Sequence, residues 1–188
     1  GADHEIRLLA GVNQEEYIWS YEQASRDVLI SSSLPYISLT TGTANIAADY
    51  TTYALRSVFG RINYTYKDRY IIEANGRRDG SSRFPKERRY GFFPSVSAAW
   101  RVIDESFMSG LRPVLSDLKL RASYGIVGNA EIGNFPQLGL LTGSASYVGI
   151  GGQAPNQIGN PDLKWETNKQ VDIGLDFGFV NNRLSGEI

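Results

Sequence analysis

The 188-residue sequence contains no cysteine and only one histidine, His4. Without cysteine there is no disulfide framework, no thiolate metal site and no thiol nucleophile. One histidine leaves little from which to build a metal site or a catalytic triad. Charge is balanced, with 19 Lys and Arg against 20 Asp and Glu, so no cationic surplus is available for phosphate backbones. We therefore expect no cofactor, no metal and no nucleic-acid partner.

Helical membrane spans and targeting signals are also absent from the pattern. Residues 28–48 are uncharged for 21 residues, but serines, threonines and Pro35 interrupt them, whereas a spanning helix needs ~20 predominantly apolar residues. The first residues, Gly1 to Glu5, have neither a basic start nor an apolar run, so no signal peptide is predicted on the chain as given. A hydrophobic content of 41% argues against disorder.

Alternation of apolar and polar residues is the dominant pattern of the chain. Such alternation predicts β-strands that have one apolar and one polar face. No internal repeat or domain boundary interrupts it, so we predict an all-β fold with one antiparallel sheet. The seven alternating segments are residues 5–13, 58–66, 70–77, 92–102, 118–126, 170–179 and 183–188.

Two environments would satisfy an apolar face on every strand. In a soluble protein this face packs on a core; in a transmembrane barrel it contacts lipid. The predicted strands run about 9 to 15 residues, above the usual ~5–6 and close to the ~9–11 that a tilted transmembrane strand needs. Aromatic residues that suit a lipid–water interface lie near strand ends: Tyr64, Tyr66, Tyr70, Trp100 and Phe179.

The lengths of the connections favour the barrel. Successive connections of an antiparallel sheet fall at opposite ends, which places the short turns 67–69 and 180–182 at one end. Short turns at one end and long loops at the other are typical of outer-membrane barrels. The long connection 103–116 is the exception. At the other end lie the predicted loops 15–50, 80–91 and 128–165, of which residues 15–30 could hold a helix of a few turns.

Five phrases, taken in this order, resemble the SusC/RagA family of TonB-linked outer-membrane proteins. The resemblance covers roughly residues 55–188, and the five phrases together make it specific. The phrases are Phe59–Tyr64 with Tyr66–Tyr70, Arg78–Phe84, Phe93–Trp100, Leu118–Gly125, and Asn160–Thr167 followed by Ile173–Phe177.

The resemblance implies a barrel of about 22 strands with a plug domain inside it. It implies import of glycans or peptides energised through TonB, and a SusD-type lipoprotein that covers the extracellular loops. Residues 1–188 would then be a fragment of the barrel wall without the plug or the TonB-contacting segment, in the outer membrane of a Bacteroidetes-type bacterium. We expect such a fragment to transport nothing by itself and to have no enzymatic activity.

If the apolar face contacts lipid, the polar face lines the lumen or touches the plug. Ion pairs and hydrogen bonds along the wall are the ordinary role for its charged residues, and contact with substrate is the alternative. Their mixed signs indicate no preference for anions or cations. The predicted lumen-lining residues are Arg7, Arg61, Glu73, Arg77, Asp79, Arg101, Lys119, Arg121, Asp172 and Asp176.

The aromatic residues Tyr17, Trp19 and Tyr21 lie in the first predicted loop. Aromatic rings stack on sugar faces, so these residues are the best candidates for ligand contact; packing within the loop or docking of the lipoprotein is the alternative. Trp165 is expected to anchor the start of a strand at the membrane surface.

Two other functional classes stay open at this point: a soluble β-sandwich that binds carbohydrate, and a glycan-degrading enzyme. The second needs two carboxylates about 5–9.5 Å apart, and no sequence feature places such a pair. We expect no catalytic residue.

Overall fold

The computed structural model describes residues 3–188. Short 3₁₀ helices lie at Ile37–Leu39, Lys86–Arg88, Val102–Asp104 and Ser106–Met108. None of the helices in this range is long and apolar enough to cross a membrane. The nine strands are β1 (His4–Arg26), β2 (Ala44–Tyr66), β3 (Tyr70–Ser81), β4 (Tyr90–Arg101), β5 (Leu115–Asn129), β6 (Leu140–Tyr147), β7 (Ile150–Gln157), β8 (Glu166–Phe179) and β9 (Leu184–Glu187).

Seven of these strands form one antiparallel sheet in the order β1-β2-β3-β4-β5-β8-β9. Each of the seven predicted segments lies in one of these strands. The remaining two, β6 and β7, form a separate hairpin within the connection between β5 and β8. The predicted antiparallel sheet is therefore present, with one additional hairpin in a region predicted as loop.

One face of the sheet is apolar and uncovered. The register places Ile72 beside Ala98, Ala98 beside Ala122 and Ala122 beside Ile173, so apolar residues of neighbouring strands form continuous rows. Within residues 3–188 no second layer packs on these rows. Side chains in the middle of the face are between 43% and 81% exposed: Ile62, Ile72, Val96, Leu120 and Ile173.

Tight turns close one end of the sheet. Lys67 and Asp68 both have positive φ, 53° and 54°, and the Arg69 N–H donates to the Tyr66 carbonyl over 3.0 Å. Two successive positive φ values are the mark of a type I′ turn, whose twist matches that of the flanking strands. Residues 180–182, between β8 and β9, also have positive φ. Both predicted short turns are therefore present.

The longer connection at this end, between β4 and β5, folds into a small core. Val102, Ile103 and Met108 are buried, and Trp100 and Leu118 pack against them. This core explains why the connection exceeds an ordinary turn: its two 3₁₀ helices cover the ends of β4 and β5.

The predicted loop 15–50 is wrong, and so is the helix considered for residues 15–30. The β1–β2 ladder continues without a register shift from His4 and Tyr66 to Arg26 and Ala44. The last β2 residue paired with β3 is Leu55, so roughly 11 residues of each strand extend the hairpin ~37 Å beyond the sheet. In this arm β1 and β2 pair only with each other, so one edge of each strand is hydrogen-bonded and the other edge has no partner strand among the described residues.

Glu105 ties the β2–β3 turn to the β4–β5 connection. Its carboxylate accepts hydrogen bonds from the Tyr70 hydroxyl at 2.6 Å and the Trp100 indole N–H at 3.1 Å. Arg69 lies 3.5 Å away as an ion-pair partner, and the rings of Tyr70 and Trp100 stack with centroids 6.4 Å apart. The hydrogen bond from Tyr70, then that from Trp100, lowers the pKa of the Glu105 carboxyl.

This arrangement predicts a pH-dependent contribution to stability. Because the folded state lowers the pKa of Glu105, its contribution is complete above the ordinary carboxyl value of 4.5 and is lost as the pH falls below it. Thermal unfolding in detergent should show a steeper loss of melting temperature in acid for wild type than for Glu105→Gln. Equal slopes for the two proteins would contradict the prediction.

Candidate functional site

All ten predicted lumen-lining residues lie on the face of the sheet opposite the apolar rows. The register sets Glu73 beside Ser97, Ser97 beside Ser123 and Ser123 beside Asp172. We call this surface the polar face. The register thus brings these side chains onto one surface, and their role in lining a lumen stays a prediction.

Every cation of this predicted set has a carboxylate partner. Asp176 bridges Lys119 at 3.1 Å and Arg121 at 2.6 Å, and Arg121 reaches Glu187 at 3.2 Å. The remaining pairs are Arg7 with Glu5, Arg61 with Glu73, Arg77 with Asp79, and Arg101 with Asp104. The polar face thus carries charge of both signs in compensated pairs.

Amide and hydroxyl groups extend these pairs across the strands. Glu73 accepts from Asn75 at 3.0 Å and from Asn63 at 3.4 Å, and Ser123 donates to Asp172 at 3.1 Å. Because these groups satisfy one another, the surface can stay hydrated while holding its side chains in place. It offers hydrogen bonds to a polar molecule without favouring one sign of charge.

Arg77 borders a recess of the polar face. It donates to Ser57 at 2.8 Å, pairs with Asp79 at 2.6 Å, and lies 5.6 Å from the centroid of the Phe59 ring. The recess has a volume of about 600 Å³ and is lined by polar and aromatic groups, among them Asn75 and Phe93.

A cluster of three aromatic side chains lies at the long-connection end of the polar face, and the sequence did not predict it. Phe84 is 1% exposed, and its ring centroid lies 5.1 Å from that of Trp165, which lies 5.1 Å from Phe93. The Trp165 indole donates to the Arg89 carbonyl at 2.9 Å. Trp165 therefore packs within this cluster, and the expectation that it anchors a strand at a membrane surface is not supported.

Arg83, in the β3–β4 connection, contacts both the arm and the β5–β6 connection. Its guanidinium lies 4.1 Å from the centroid of the Tyr53 ring, donates to Asn134 at 3.0 Å and donates to the Ala130 carbonyl at 3.1 Å. Asn134 in turn donates to Thr51 of β2 at 2.6 Å. A hint in the sequence was the Arg78–Phe84 phrase, but no periodicity indicates which distant residues Arg83 meets.

Tyr17, Trp19 and Tyr21 lie in the strand part of the arm, where a loop was predicted. Like Arg7, they stand at odd-numbered positions of β1, so their side chains lie on the same side of the strand as the polar face. Tyr17 stacks on Tyr53 with centroids 5.0 Å apart, and Trp19 stacks on Tyr21 at 6.0 Å. Tyr17, Trp19 and Tyr21 are 43%, 40% and 39% exposed. We call these four rings the aromatic ladder.

No cluster of three or more His, Asp or Glu suited to a metal occurs in the described part of the chain. The polar face and the aromatic ladder together carry compensated ion pairs, amides and stacked rings.

Residues 2–188 match the family described as TonB dependent receptor-like, beta-barrel. The chain belongs to this family. A TonB-dependent receptor P39 from Formosa agariphila is 38% identical over 97% of the chain and 18% of that relative. The TonB-dependent receptor SusC of Bacteroides thetaiotaomicron is 41% identical over 73% of the chain and 15% of that relative.

Solved structures match the fold as well. The structure of the RagAB peptide transporter superposes with a TM-score of 0.93 at 33% identity, over 100% of this chain and 21% of that one. The predicted SusC/RagA resemblance and the barrel-type antiparallel fold are thereby confirmed. The chain spans about a fifth of the length of the relatives it matches. The family is one of receptors and transporters, and the soluble β-sandwich is not favoured.

The buried aromatic cluster yields a stability prediction. Replacing Phe84 with alanine removes a fully buried ring and should lower the free energy of unfolding by about 3 kcal/mol or more. The control is Phe107→Ala, because Phe107 is 66% exposed and should cost little. Chemical unfolding of the protein in lipid vesicles, followed by tryptophan fluorescence, measures both. Equal losses for the two variants would show that the cluster contributes no special stability.

Proposed function

We propose that this chain forms part of the barrel wall of an outer-membrane importer of bulky nutrients, glycans or peptides, energised through TonB. The observation that carries the proposal is the uncovered apolar face of a single-layer sheet whose opposite face is polar and charge-compensated. A soluble protein would bury rows such as Ile72, Ala98 and Ile173, whereas a barrel exposes them to hydrocarbon.

The height of the apolar band supports a membrane environment. On β3 the face is free of charge from Tyr70 until Arg78, which is ~27 Å along the strand. With the tilt usual for barrel strands, this length is comparable with the ~25 Å apolar band of outer-membrane proteins.

The two rims of the band support an orientation. The stacked rings of Tyr66, Tyr70 and Trp100 line the short-turn rim, where amphipathic rings suit the interface. Short turns face the periplasm in known barrels. The arm, the β3–β4 connection and the β6–β7 hairpin would then lie outside the cell.

The proposal extends to the interior and to partners. The polar face would line the lumen or contact a plug, and the long connections would meet a SusD-type lipoprotein, as the likeness to SusC and to the RagAB peptide transporter supports. TonB would act through another segment of the receptor. This sheet by itself, with β1 and β9 as its outer strands, encloses no lumen and should not transport.

The facing of the sheet predicts an alternating pattern of solvent access. Because the chain has no cysteine, spin labels can be placed singly on β4 in a complete receptor otherwise free of cysteine. Labels at Val96 and Ala98 should be relaxed mainly by oxygen dissolved in the bilayer. Labels at Ser95 and Ser97 should be relaxed mainly by a water-soluble nickel chelate. Equal access of the nickel chelate to both sets would overturn the proposal.

The aromatic ladder is proposed to contact the ligand. Trp19→Ala should raise the half-saturating nutrient concentration for uptake roughly 2- to 10-fold, the range expected for loss of one aromatic contact. Ile18→Ala is the matched control, since Ile18 is 58% exposed and lies on the opposite face. Uptake of labelled oligopeptide and oligosaccharide mixtures measures the effect. Loss of lipoprotein co-purification with unchanged uptake affinity would assign the ladder to the partner instead.

A further inference from the structure

Three cations lie on the apolar side of the sheet near its long-connection rim: Arg56, Arg78 and Lys169. The strand register places them on the same face of the sheet as Val58, Phe92 and Ile126. Unlike the cations of the polar face, none of the three has a carboxylate at ion-pair distance among residues 3–188. Cations at the edge of an apolar band keep their charge in the polar interface, where an anion from outside the chain can pair with them.

Arg56 and Arg78 are close neighbours. Arg56 lies opposite Gly80, and Arg78 lies opposite Val58 on the paired strand, which makes the two arginines diagonal neighbours with ~7–8 Å between their backbones. Both are exposed. Glu16 is the carboxylate nearest in register on this side of β1, and it forms no ion pair with either arginine within the described residues.

The Tyr90 ring contacts one arginine of this pair, Arg78. Gly80 lacks a side chain, and the Tyr90 ring occupies the space that a Cβ at that position would need. The Arg78 guanidinium lies 4.7 Å from the centroid of the same ring, a cation–π contact that orients its plane. The Tyr90 ring thus covers Gly80 and carries the Arg78 guanidinium, and Arg56 is opposite Gly80 on the next strand.

A phosphate is the anion that suits two neighbouring guanidiniums. Its oxygens accept paired, charge-assisted hydrogen bonds from planar arginine forks. The flanking side chains Val58 and Phe92 are apolar and 53% and 63% exposed, so a bound molecule would combine an anionic group with hydrocarbon. This combination describes a membrane lipid better than a soluble phosphate.

We propose that Arg56 and Arg78, the latter held against the Tyr90 ring, bind the phosphate of a membrane lipid headgroup at the outer rim of the barrel. The inference rests on the proposed function, because it requires the apolar face to contact lipid. Arg78 is level with Val58 and Arg56 is two residues beyond it, at the end of the uncharged band, where headgroups would lie in the outward leaflet.

The test uses the complete receptor purified in detergent and titrated with dioctanoyl phosphatidic acid, with dioctanoyl phosphatidylcholine as the reference lipid. Native mass spectrometry counts bound lipid. Wild type should prefer phosphatidic acid, and the double variant Arg56→Gln with Arg78→Gln should weaken its binding about tenfold or more. Tyr90→Ala should weaken it less, and Tyr90→Phe should retain it.

The matched control removes two exposed cations from long connections, Lys86→Gln with Lys164→Gln, and should leave phosphatidic acid binding unchanged. Equal weakening by the control, or displacement of the lipid by excess inorganic phosphate alone, would overturn the inference. So would unchanged binding in the Arg56 and Arg78 double variant. The spin-label experiment on β4 distinguishes failure of this inference from failure of the proposed function. Alternating accessibility without a preference for phosphatidic acid would contradict this inference only. Loss of the alternation would contradict the proposed function.

Discussion

Backbone pairing in a constant register is the constraint on which the two faces depend. From β1 to β5 the pairs advance without a shift, and the β5–β8 pair has a single irregularity, between Leu115 and Asp117 near its end. Because side chains alternate at every position, a slip of one residue would exchange the faces of a whole strand. The unbroken register is what brings Glu73, Ser123 and Asp172 to one surface and Ile72 and Ile173 to the other.

The two faces satisfy opposite requirements with the same backbone. On the polar face, carboxylates such as Asp176 compensate Lys119 and Arg121 within the chain, so the surface needs no external counterion. The apolar face carries almost no polar groups except at its rim. There, Arg56 and Arg78 have no carboxylate partner among residues 3–188. In the proposed barrel, this difference matches a polar face toward an aqueous interior and an apolar face toward lipid.

The sequence could predict which segments form strands and which face each side chain is on, because both depend on the local alternation of apolar and polar residues. The Phe84, Trp165 and Phe93 cluster could not be predicted, since two separate connections supply Phe84 and Trp165 and only the folded chain brings them to Phe93 of β4. The arm was missed for another reason. Tyr17, Trp19 and Tyr21 do alternate, but the other face mixes Ile18 with Glu16 and Glu22, which weakens the contrast between the faces that signals a strand. The β6–β7 hairpin, rich in glycine, was read as irregular for the same lack of contrast.

The continuous ladder of the arm also restricts how its length can vary. Insertion of one residue into β1 between Glu15 and Tyr17 would turn Tyr17 to the opposite face while Tyr53 of β2 stayed in place, so these two stacked rings would separate. Length can change without that penalty only when residues are added in twos to both strands, or at the apex between Asp27 and Thr43. Divergence among related arms should accordingly concentrate at the apex and proceed by even increments along the stem.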